Sequence, residues 1–207
     1  MMIDIETLIS LGAVSKQVSA GEMLFLEEGS AHFYNQLISG RVRCVNITDE
    51  GKEFTQMIIQ PGECFGELAL IDDQPYAVTA IADTDAVYLR LNGDAFRQLL
   101  KEDTELHLAF TQLLCRRLRF KYLLSKEQAN QNPRHSILNL LNYFKQTKQN
   151  VCSQCSKVML TRQQIADMTG LRVETVIRAI RQLEEQGVLW INNGKVYLSS
   201  YDCAHRK

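Results

Sequence analysis

The sequence predicts an α+β protein in which an N-terminal jelly-roll β-barrel is followed by a long helix and a C-terminal winged helix-turn-helix. Three observations lead to this fold class. Short apolar runs alternate with turn residues between positions 18 and 92, a helical pattern runs without interruption from 104 to 128, and two short helical patterns meet at Gly170. We therefore assign residues 1–103 to the barrel, 104–129 to the long helix and 130–207 to the winged helix domain.

The barrel segment is predicted from the regular alternation of apolar runs and turn residues. Runs such as Met23-Leu-Phe-Leu26 and Val42-Arg-Cys-Val-Asn-Ile47 are separated by turn signals such as Ser39-Gly40 and Gln60-Pro-Gly62. Many short strands at nearly regular spacing are typical of a sandwich or barrel of the jelly-roll kind.

The long helix is predicted from about Thr104 to Gln128, because neither Gly nor Pro interrupts this stretch. Apolar residues recur there at a spacing of three and four, with Arg117 as the one polar break: Leu106, Phe110, Leu113, Phe120 and Leu124. Such a seam favours a partner helix, so we expect a two-fold dimer interface. The alternative is that the helix packs on the barrel, and opposite faces can do both.

A hinge and a further helix are predicted next. Asn130-Gln-Asn-Pro133 ends the long helix, and residues 134–146 form an amphipathic helix that opens the last domain.

The helix-turn-helix is predicted between residues 161 and 185. Thr161 can cap a first helix, and Gly170 can supply the positive φ that a sharp turn requires. In the second helix, a set of apolar residues falls on one face: Val176, Ala179, Ile180 and Leu183. Two short apolar runs around Asn193-Gly194 then predict a β-hairpin, and a hairpin after a helix-turn-helix is a winged helix.

The exposed side of this region predicts contact with double-stranded DNA. Arginine can donate two bonds to guanine, glutamate can accept from the cytosine amine, and other cations can reach phosphates. The predicted DNA-binding residues are Arg162, Gln163, Arg172, Val173, Glu174, Thr175, Arg178 and Lys195. The alternative is an ordinary helical hairpin with a solvated charged face.

Composition and charge restrict the class further. With 45% hydrophobic and 23% charged residues, the chain is long enough for one large or two modest cores. The net charge is −1, but the first 105 residues are acidic and the rest are basic, which suits a sensor joined to a DNA reader. No membrane-spanning run and no signal sequence are found, so we expect a cytoplasmic protein whose six cysteines are reduced.

Four segments carry a further pattern: Gly21-Glu-Met-Leu-Phe-Leu-Glu-Glu-Gly29, Ile38-Ser-Gly-Arg-Val-Arg43, Pro61-Gly-Glu-Cys-Phe-Gly-Glu-Leu-Ala-Leu70 and residues 161–189. In this order and spacing they resemble the family of the cyclic-AMP receptor protein and the fumarate-nitrate reductase regulator, the Crp/Fnr family of transcription regulators. The resemblance implies a cyclic-nucleotide-binding-like, effector-sensing barrel, a dimerisation helix and a winged helix that binds a near-palindromic operator. It also implies a homodimer, with RNA polymerase as a partner if the protein activates transcription.

The resemblance does not extend to the residues that hold cyclic AMP. Gly66 and Glu67 match the family's phosphate loop, but Tyr76 and Ala77 stand where its Arg-Ser pair takes the cyclic phosphate. A buried phosphate needs a charge-assisted donor, so we predict that cyclic AMP is not the effector. The predicted effector pocket is Gly66, Glu67, Leu68, Tyr76, Ala77, Lys121 and Tyr122. If that pocket is empty, Glu67 is expected to cap loop amides.

Cysteine and histidine residues are the candidates for binding other cofactors. Cys152 and Cys155 have the spacing of half a metal site or a small disulfide, which makes a redox- or metal-responsive regulator with a ligand-free barrel the alternative function. The family's N-terminal cysteine cluster is missing, so no oxygen-sensing iron-sulfur cluster is predicted. His32 and His107 are the only candidate heme ligands, and neither heme nor an enzymatic metal site is predicted.

The recognition helix predicts the operator. In the family, three positions read bases, and they fall on Val173, Glu174 and Arg178. Val173 replaces the leading arginine of the cyclic-AMP receptor type, as in the fumarate-nitrate type, which removes one guanine contact. We therefore predict half-sites that resemble TTGA rather than TGTGA.

Overall fold

The computed structural model describes residues 2–129 and 132–198. The chain divides into two compact units between Arg117 and Leu118, inside its longest helix. Two residues of the predicted hinge, Asn130 and Gln131, and the tail cysteine Cys203 lie outside the described residues.

The first unit is mostly β-structure. It begins with α1 (Ile5–Ser10), whose first turn is capped by Asp4. The strands that follow are β1 (Val14–Val18), β2 (Met23–Phe25), β3 (Phe33–Ser39), β4 (Val42–Ile47), β5 (Glu53–Ile59) and β6 (Cys64–Phe65). The short α2 (Leu68–Ile71) comes next, and then β7 (Thr79–Ala82), β8 (Ala86–Asn92), α3 (Gly93–Glu102) and the long α4 (Thr104–Ala129).

These strands form two four-stranded antiparallel sheets with the orders β1-β8-β3-β6 and β2-β7-β4-β5. Most strands that pair within a sheet are not consecutive in the sequence. For example, β8 lies between β1 and β3, and β7 lies between β2 and β4. Crossing connections of this kind are typical of a jelly roll. The predicted fold class is therefore confirmed.

The start of α4 packs on the core of the first unit. Phe110 is fully buried, and its ring lies edge-on to Phe96 at 5.4 Å between centroids, while Phe96 stacks on Tyr34 at 4.4 Å. Leu106 and Leu113 are half-buried against the same cluster. These three residues of the predicted dimer seam belong to the barrel core instead.

A different face of α4 is exposed. Leu108, Leu118 and Tyr122 keep 59%, 51% and 65% of their surface accessible. The predicted seam was wrong because both faces of this helix carry apolar residues at helical spacing, and the spacing alone does not show which face meets the core.

The second unit contains the end of α4, α5 (Pro133–Thr147), α6 (Arg162–Thr169), α7 (Val173–Glu185), β9 (Trp190–Asn192) and β10 (Lys195–Tyr197). Phe120 stacks on Tyr143 at 4.8 Å, and Leu124 is buried as well, so the rest of the predicted seam also faces inward. The side chain of Asn132 caps α5, with Pro133 in its first turn, as the predicted helix requires. Among the described residues, no helix combines the length and the apolar character needed to cross a membrane.

Candidate nucleic-acid interface and effector site

The first helix of the predicted helix-turn-helix begins with a capping box. Thr161 Oγ1 accepts a hydrogen bond from the Gln164 amide at 3.1 Å, and Gln164 Oε1 accepts one from the Thr161 amide at 3.0 Å. The helix ends at Gly170, whose φ of 71° lies in the left-handed region. The predicted N-cap Thr161 and the predicted turn residue Gly170 are therefore confirmed, and Gly170 fixes the direction in which α7 leaves the turn.

One side of α7 is buried and the other is exposed. Val176, Ala179, Ile180 and Leu183 are buried, as predicted. Glu174 and Arg178 are exposed, whereas Val173 and Thr175 are half-buried. Neither charged side chain packs inward, so both remain available for DNA.

The sequence interpretation missed an apolar residue on the same face. Ile177 exposes 37% of its surface and follows Val173 by four positions and Glu174 by three. Residues with these spacings are neighbours on a helix surface. The reading face thus has an apolar strip beside its charges, and helical spacing counted from Glu174 could have found it.

The predicted phosphate contacts have different surroundings. Arg172 is exposed at the N-cap of α7, and Lys195 is exposed at the start of β10. The Gln163 side chain donates to Asp167 Oδ1 at 2.8 Å, on the surface of α6. Arg162 Nη2 donates to the Gly194 carbonyl at 3.4 Å, and burial lowers the pKa of its guanidinium, although Glu184 opposes this. Arg162 therefore links α6 to the hairpin turn.

The predicted hairpin is present. β9 and β10 pair antiparallel, with Lys195 opposite Asn192, and Trp190 stacks on Tyr197 at 4.4 Å. Asn193 and Gly194 both have positive φ, 47° and 74°, as a two-residue type I′ turn requires.

The Cys152–Cys155 turn is joined to this hairpin, which the sequence did not reveal. Lys157 pairs with Tyr197 of β10, and the Val158 amide donates to the Val196 carbonyl at 2.8 Å. Both thiols are free and half-buried. Hydrogen bonds from the backbone amide of Cys155, then from Gln154 and the Cys155 thiol, lower the pKa of Cys152.

The predicted effector loop is packed with aromatic rings. Tyr76 is buried and stacks on Phe25 at 3.8 Å, with 10° between the ring planes. Gly66 has a φ of 76°, and a Cβ at this position would lie 2.9 Å from atoms of both rings. Burial also raises the pKa of Tyr76, so its hydroxyl stays protonated. Tyr76, which stands where the family motif has an arginine, is thus packed against Phe25 and Gly66.

Glu67 does not cap loop amides, which corrects the expectation for an empty pocket. It is the N-cap residue of α2 but makes no capping hydrogen bond with its side chain. Its carboxylate forms an ion pair with Arg117, and Arg117 Nη2 also donates to the Cys64 carbonyl at 2.6 Å. Burial disfavours the charged guanidinium, but Glu67, together with Cys64 and Glu63, more than offsets this and raises the pKa of Arg117.

The remaining predicted pocket residues contribute less to this packing. Leu68 and Ala77 are exposed. Lys121 and Tyr122 belong to the second unit, whereas the other five residues belong to the first. The effector pocket stays a prediction.

The two candidate heme ligands, His32 and His107, are both exposed. Over residues 2–129 and 132–198, no three side chains of the metal-binding types lie close enough together to hold an ion. The pair Cys152 and Cys155 therefore supplies only part of a zinc ligand set within the described chain.

A barrel followed by a winged helix with an exposed, charged reading helix defines a DNA-binding regulator. Two family models match: a cyclic nucleotide-binding domain over residues 15–103 and a Crp-like helix-turn-helix domain over residues 135–202. The chain belongs to the Crp/Fnr family of transcription regulators.

Relatives agree with this assignment. The chain is 28% identical over 180 residues to the cyclic AMP receptor protein of Thermus thermophilus, covering 85% of this chain and 79% of that protein. It is 24% identical over 199 residues to the transcriptional activator protein anr of Pseudomonas aeruginosa, covering 94% and 80%. The structure of FixK2 from Bradyrhizobium japonicum has the same fold, with a TM-score of 0.77, 20% identity and coverage of 93% and 96%. The curated relatives are transcription regulators of this family rather than enzymes.

Proposed function

We propose that the protein is a homodimeric transcription regulator that reads a near-palindromic operator with TTGA-like half-sites through Glu174, Arg178 and Val173. The observation that carries this proposal is the division of α7 into a buried apolar side and an exposed charged side, directly after a sharp turn. Such a helix can enter the major groove while the turn and the wing approach phosphates. A protein that reads an operator acts in the cytoplasm, and RNA polymerase is a further partner if it activates.

Base contacts and phosphate contacts can be told apart experimentally. Fluorescence anisotropy on a duplex with two TTGA half-sites, centred about 10 base pairs apart, gives the operator affinity. Arg178→Ala should cost about 1–3 kcal/mol and relax the choice at one guanine. Arg162→Ala should weaken specific and random duplexes alike and lower the salt dependence. Equal losses for both variants on both duplexes would contradict these roles.

The exposed face of α4 supports the homodimer. Six exposed residues recur at alternating spacings of three and four: Leu108, Thr111, Cys115, Leu118, Tyr122 and Ser125. This is the spacing of a coiled-coil seam, and large apolar side chains exposed along it favour pairing with the same helix of a second copy. Leu118→Glu should shift sedimentation to the monomer, whereas the exposed neighbour Arg116→Glu should leave the dimer intact. A dimer that survives Leu118→Glu would contradict this interface.

The packing of the effector loop supports an effector other than cyclic AMP. The Tyr76 ring lies against Phe25 and Gly66, where a cyclic nucleotide would require a charge-assisted phosphate donor. Adding cyclic AMP should therefore leave the operator affinity unchanged. An increase of tenfold or more, about 1.4 kcal/mol, would overturn this part of the proposal.

A second candidate is control by the Cys152 and Cys155 thiols, with the barrel as a ligand-free scaffold. The specific observation is that hydrogen bonds favour the Cys152 thiolate in a turn paired with β10. The thiolate can attack a peroxide to give a sulfenic acid and hydroxide, and the Cys155 thiol then displaces water to form a disulfide. Closing this bridge changes the turn that supports the wing.

The redox candidate has its own test. Operator affinity is measured after peroxide and again after dithiothreitol, and intact mass shows whether two hydrogens are lost. Cys152→Ser and Cys155→Ser should abolish any change, whereas Cys115→Ser should not. A chelator distinguishes a metal-dependent effect from a disulfide. Affinity that is the same in all redox states would exclude this candidate.

A further inference from the structure

Arg90 projects from strand β8 toward the space between the two sheets of the first unit. It follows Tyr88 by two positions on β8, and residues that are two apart in a strand lie on the same face of the sheet. Tyr88 belongs to the buried cluster that joins residues of both sheets, such as Leu37 of β3 and Cys44 of β4. Arg90 therefore lies on the inner face of its sheet.

The side chain of Arg90 nevertheless reaches solvent. Its main chain lies between two paired strands, with Val14 of β1 opposite it on one side and Asn35 of β3 on the other. Arg90 is only half-buried, so its accessible surface belongs mainly to the side chain. Because β1 is an edge strand and Val14 is 55% exposed, the surroundings of Arg90 are open at the edge of the barrel.

Arg90 has no counter-charge among the described residues. Arg41, Arg43 and Arg97 of the same unit each form an ion pair with a carboxylate. Arg90 forms none with residues 2–129 and 132–198. Its guanidinium lies instead over the Phe33 ring, with Cζ 3.9 Å from the ring centroid. A guanidinium stacked on a ring keeps N–H donors at its edge for a further partner.

Two neighbours on the same face add to this positive site. Burial raises the pKa of Tyr88, but the charge of Arg90 and a hydrogen bond from it oppose the rise, so the guanidinium lies near the phenol hydroxyl. Lys16 of β1 is exposed and stands opposite Tyr88, which makes it a diagonal neighbour of Arg90. Diagonal neighbours are about 7–8 Å apart, so two long side chains can meet at one ligand. Lys16 also forms no ion pair within the described part of the chain.

We propose that Arg90 and Lys16 bind a small organic carboxylate at the open edge of the barrel. The edge of the Arg90 guanidinium donates to the carboxylate, the Lys16 ammonium approaches it from β1, and the apolar body of the ligand packs against Val14. Two cations match the two oxygens of a carboxylate, whereas a ligand that carries an ammonium group is repelled.

This site does not use the nucleotide loop of the family. Gly66 packs against the rings of Phe25 and Tyr76, and Glu67 is paired with Arg117, so neither is needed to hold a carboxylate at Arg90. Strand β8 continues directly into α3, and α3 leads to α4, so the ligand would bind next to the segment that joins the barrel to the long helix. The role of the carboxylate as an effector rests on the proposed function, whereas its binding does not.

The test is calorimetric titration of the full-length protein with sodium benzoate. Benzyl alcohol and benzylammonium chloride at the same ionic strength are the matched controls for the aromatic body, and phenyl phosphate tests a different anion. We expect saturable binding of benzoate, and binding of both controls that is at least about tenfold weaker. Arg90→Gln should weaken benzoate binding by at least about tenfold and Lys16→Gln by less. Lys101→Gln, which removes an exposed cation of the same unit, should leave it unchanged.

Three results would overturn the proposal. Equal affinity for benzoate and benzyl alcohol would mean that no carboxylate is recognised, and equal affinity of wild type and Arg90→Gln would place any bound benzoate elsewhere, such as on the DNA-binding surface. Phenyl phosphate that binds at least about tenfold more tightly than benzoate would refute the choice of a carboxylate. If Arg90→Gln does not fold, judged by circular dichroism, Lys16→Gln and the comparison of benzoate with benzyl alcohol decide the question.

Operator affinity is measured separately, with and without benzoate. A protein that binds benzoate but no operator would keep the carboxylate site and refute the proposed function. A protein that binds both, with an operator affinity that benzoate does not change, would keep the site and refute its role in control.

Discussion

Removing either partner of the ion pair between Glu67 and Arg117 should strongly destabilise the first unit. The Glu67 and Arg117 side chains are 3% and 15% exposed, so each charge depends on the other for compensation. Arg117→Met leaves the Glu67 carboxylate buried with both oxygens unsatisfied, since Oε2 has no hydrogen-bond partner even in the intact pair. Removing one partner of a buried pair costs about 3–5 kcal/mol.

A double-mutant cycle isolates the pair from other effects. Glu67→Gln and Arg117→Met should each lower the free energy of unfolding by about 3–5 kcal/mol, and the double variant should recover at least about 2 kcal/mol of the summed loss. Arg116→Met, an exposed arginine one position earlier, should change stability by less than about 0.5 kcal/mol.

Urea unfolding followed by far-UV circular dichroism measures the cycle. Trp190, the one tryptophan of the chain, lies in the second unit, so its fluorescence follows that unit separately. Single substitutions that cost under about 1 kcal/mol, or losses that simply add in the double variant, would refute the reasoning.

Three other predictions follow from burial, backbone conformation and thiol environment. Phe110→Ala should cost about 3–5 kcal/mol in urea unfolding, while Gln112→Ala, at an exposed position of α4 outside the proposed dimer seam, should cost less than about 0.5 kcal/mol; equal losses would contradict the assignment of Phe110 to the core. Gly170→Ala should destabilise the second unit by about 1–2 kcal/mol, detected by Trp190 fluorescence; an unchanged unfolding midpoint would contradict the left-handed conformation of Gly170. Because its pKa is lowered, Cys152 keeps its thiolate to lower pH than an unperturbed cysteine, so iodoacetamide should alkylate it at lower pH than a cysteine peptide; a matching profile would contradict the hydrogen bonds to its sulfur.

Local features of this protein could be predicted from the sequence. The capping box at Thr161, the left-handed Gly170 and the Asn193-Gly194 turn each depend on residues within four positions of one another, and each is found where the pattern placed it. The same holds for the buried side of α7, because helical periodicity is a local property. The buried and exposed sides of α7 could therefore largely be predicted from the sequence.

Features that depend on distant pairs could not be predicted. Glu67 and Arg117 are 50 positions apart, and although Arg117 interrupts an apolar series on its helix, nothing near it in the sequence identifies the loop carboxylate that compensates its charge. The pairing of Lys157 with Tyr197 is hidden for the same reason. In α4, the sequence shows apolar residues on more than one face, and only the packed structure assigns Phe110 to the core and Leu118 to the surface.

The ion pair changes what the family motif says about the effector. Gly66 and Glu67 match the phosphate loop of proteins that bind a cyclic nucleotide, and that match alone would favour such a ligand. In this chain, however, Glu67 already neutralises a buried arginine, and Gly66 leaves room for the rings of Phe25 and Tyr76. The match of these two residues to the motif therefore does not by itself argue for a cyclic nucleotide, because the Arg117 ion pair and the ring packing each account for one of them. Whether an effector can bind beside Gly66 depends instead on whether the Phe25 and Tyr76 rings separate, because only their separation makes space there.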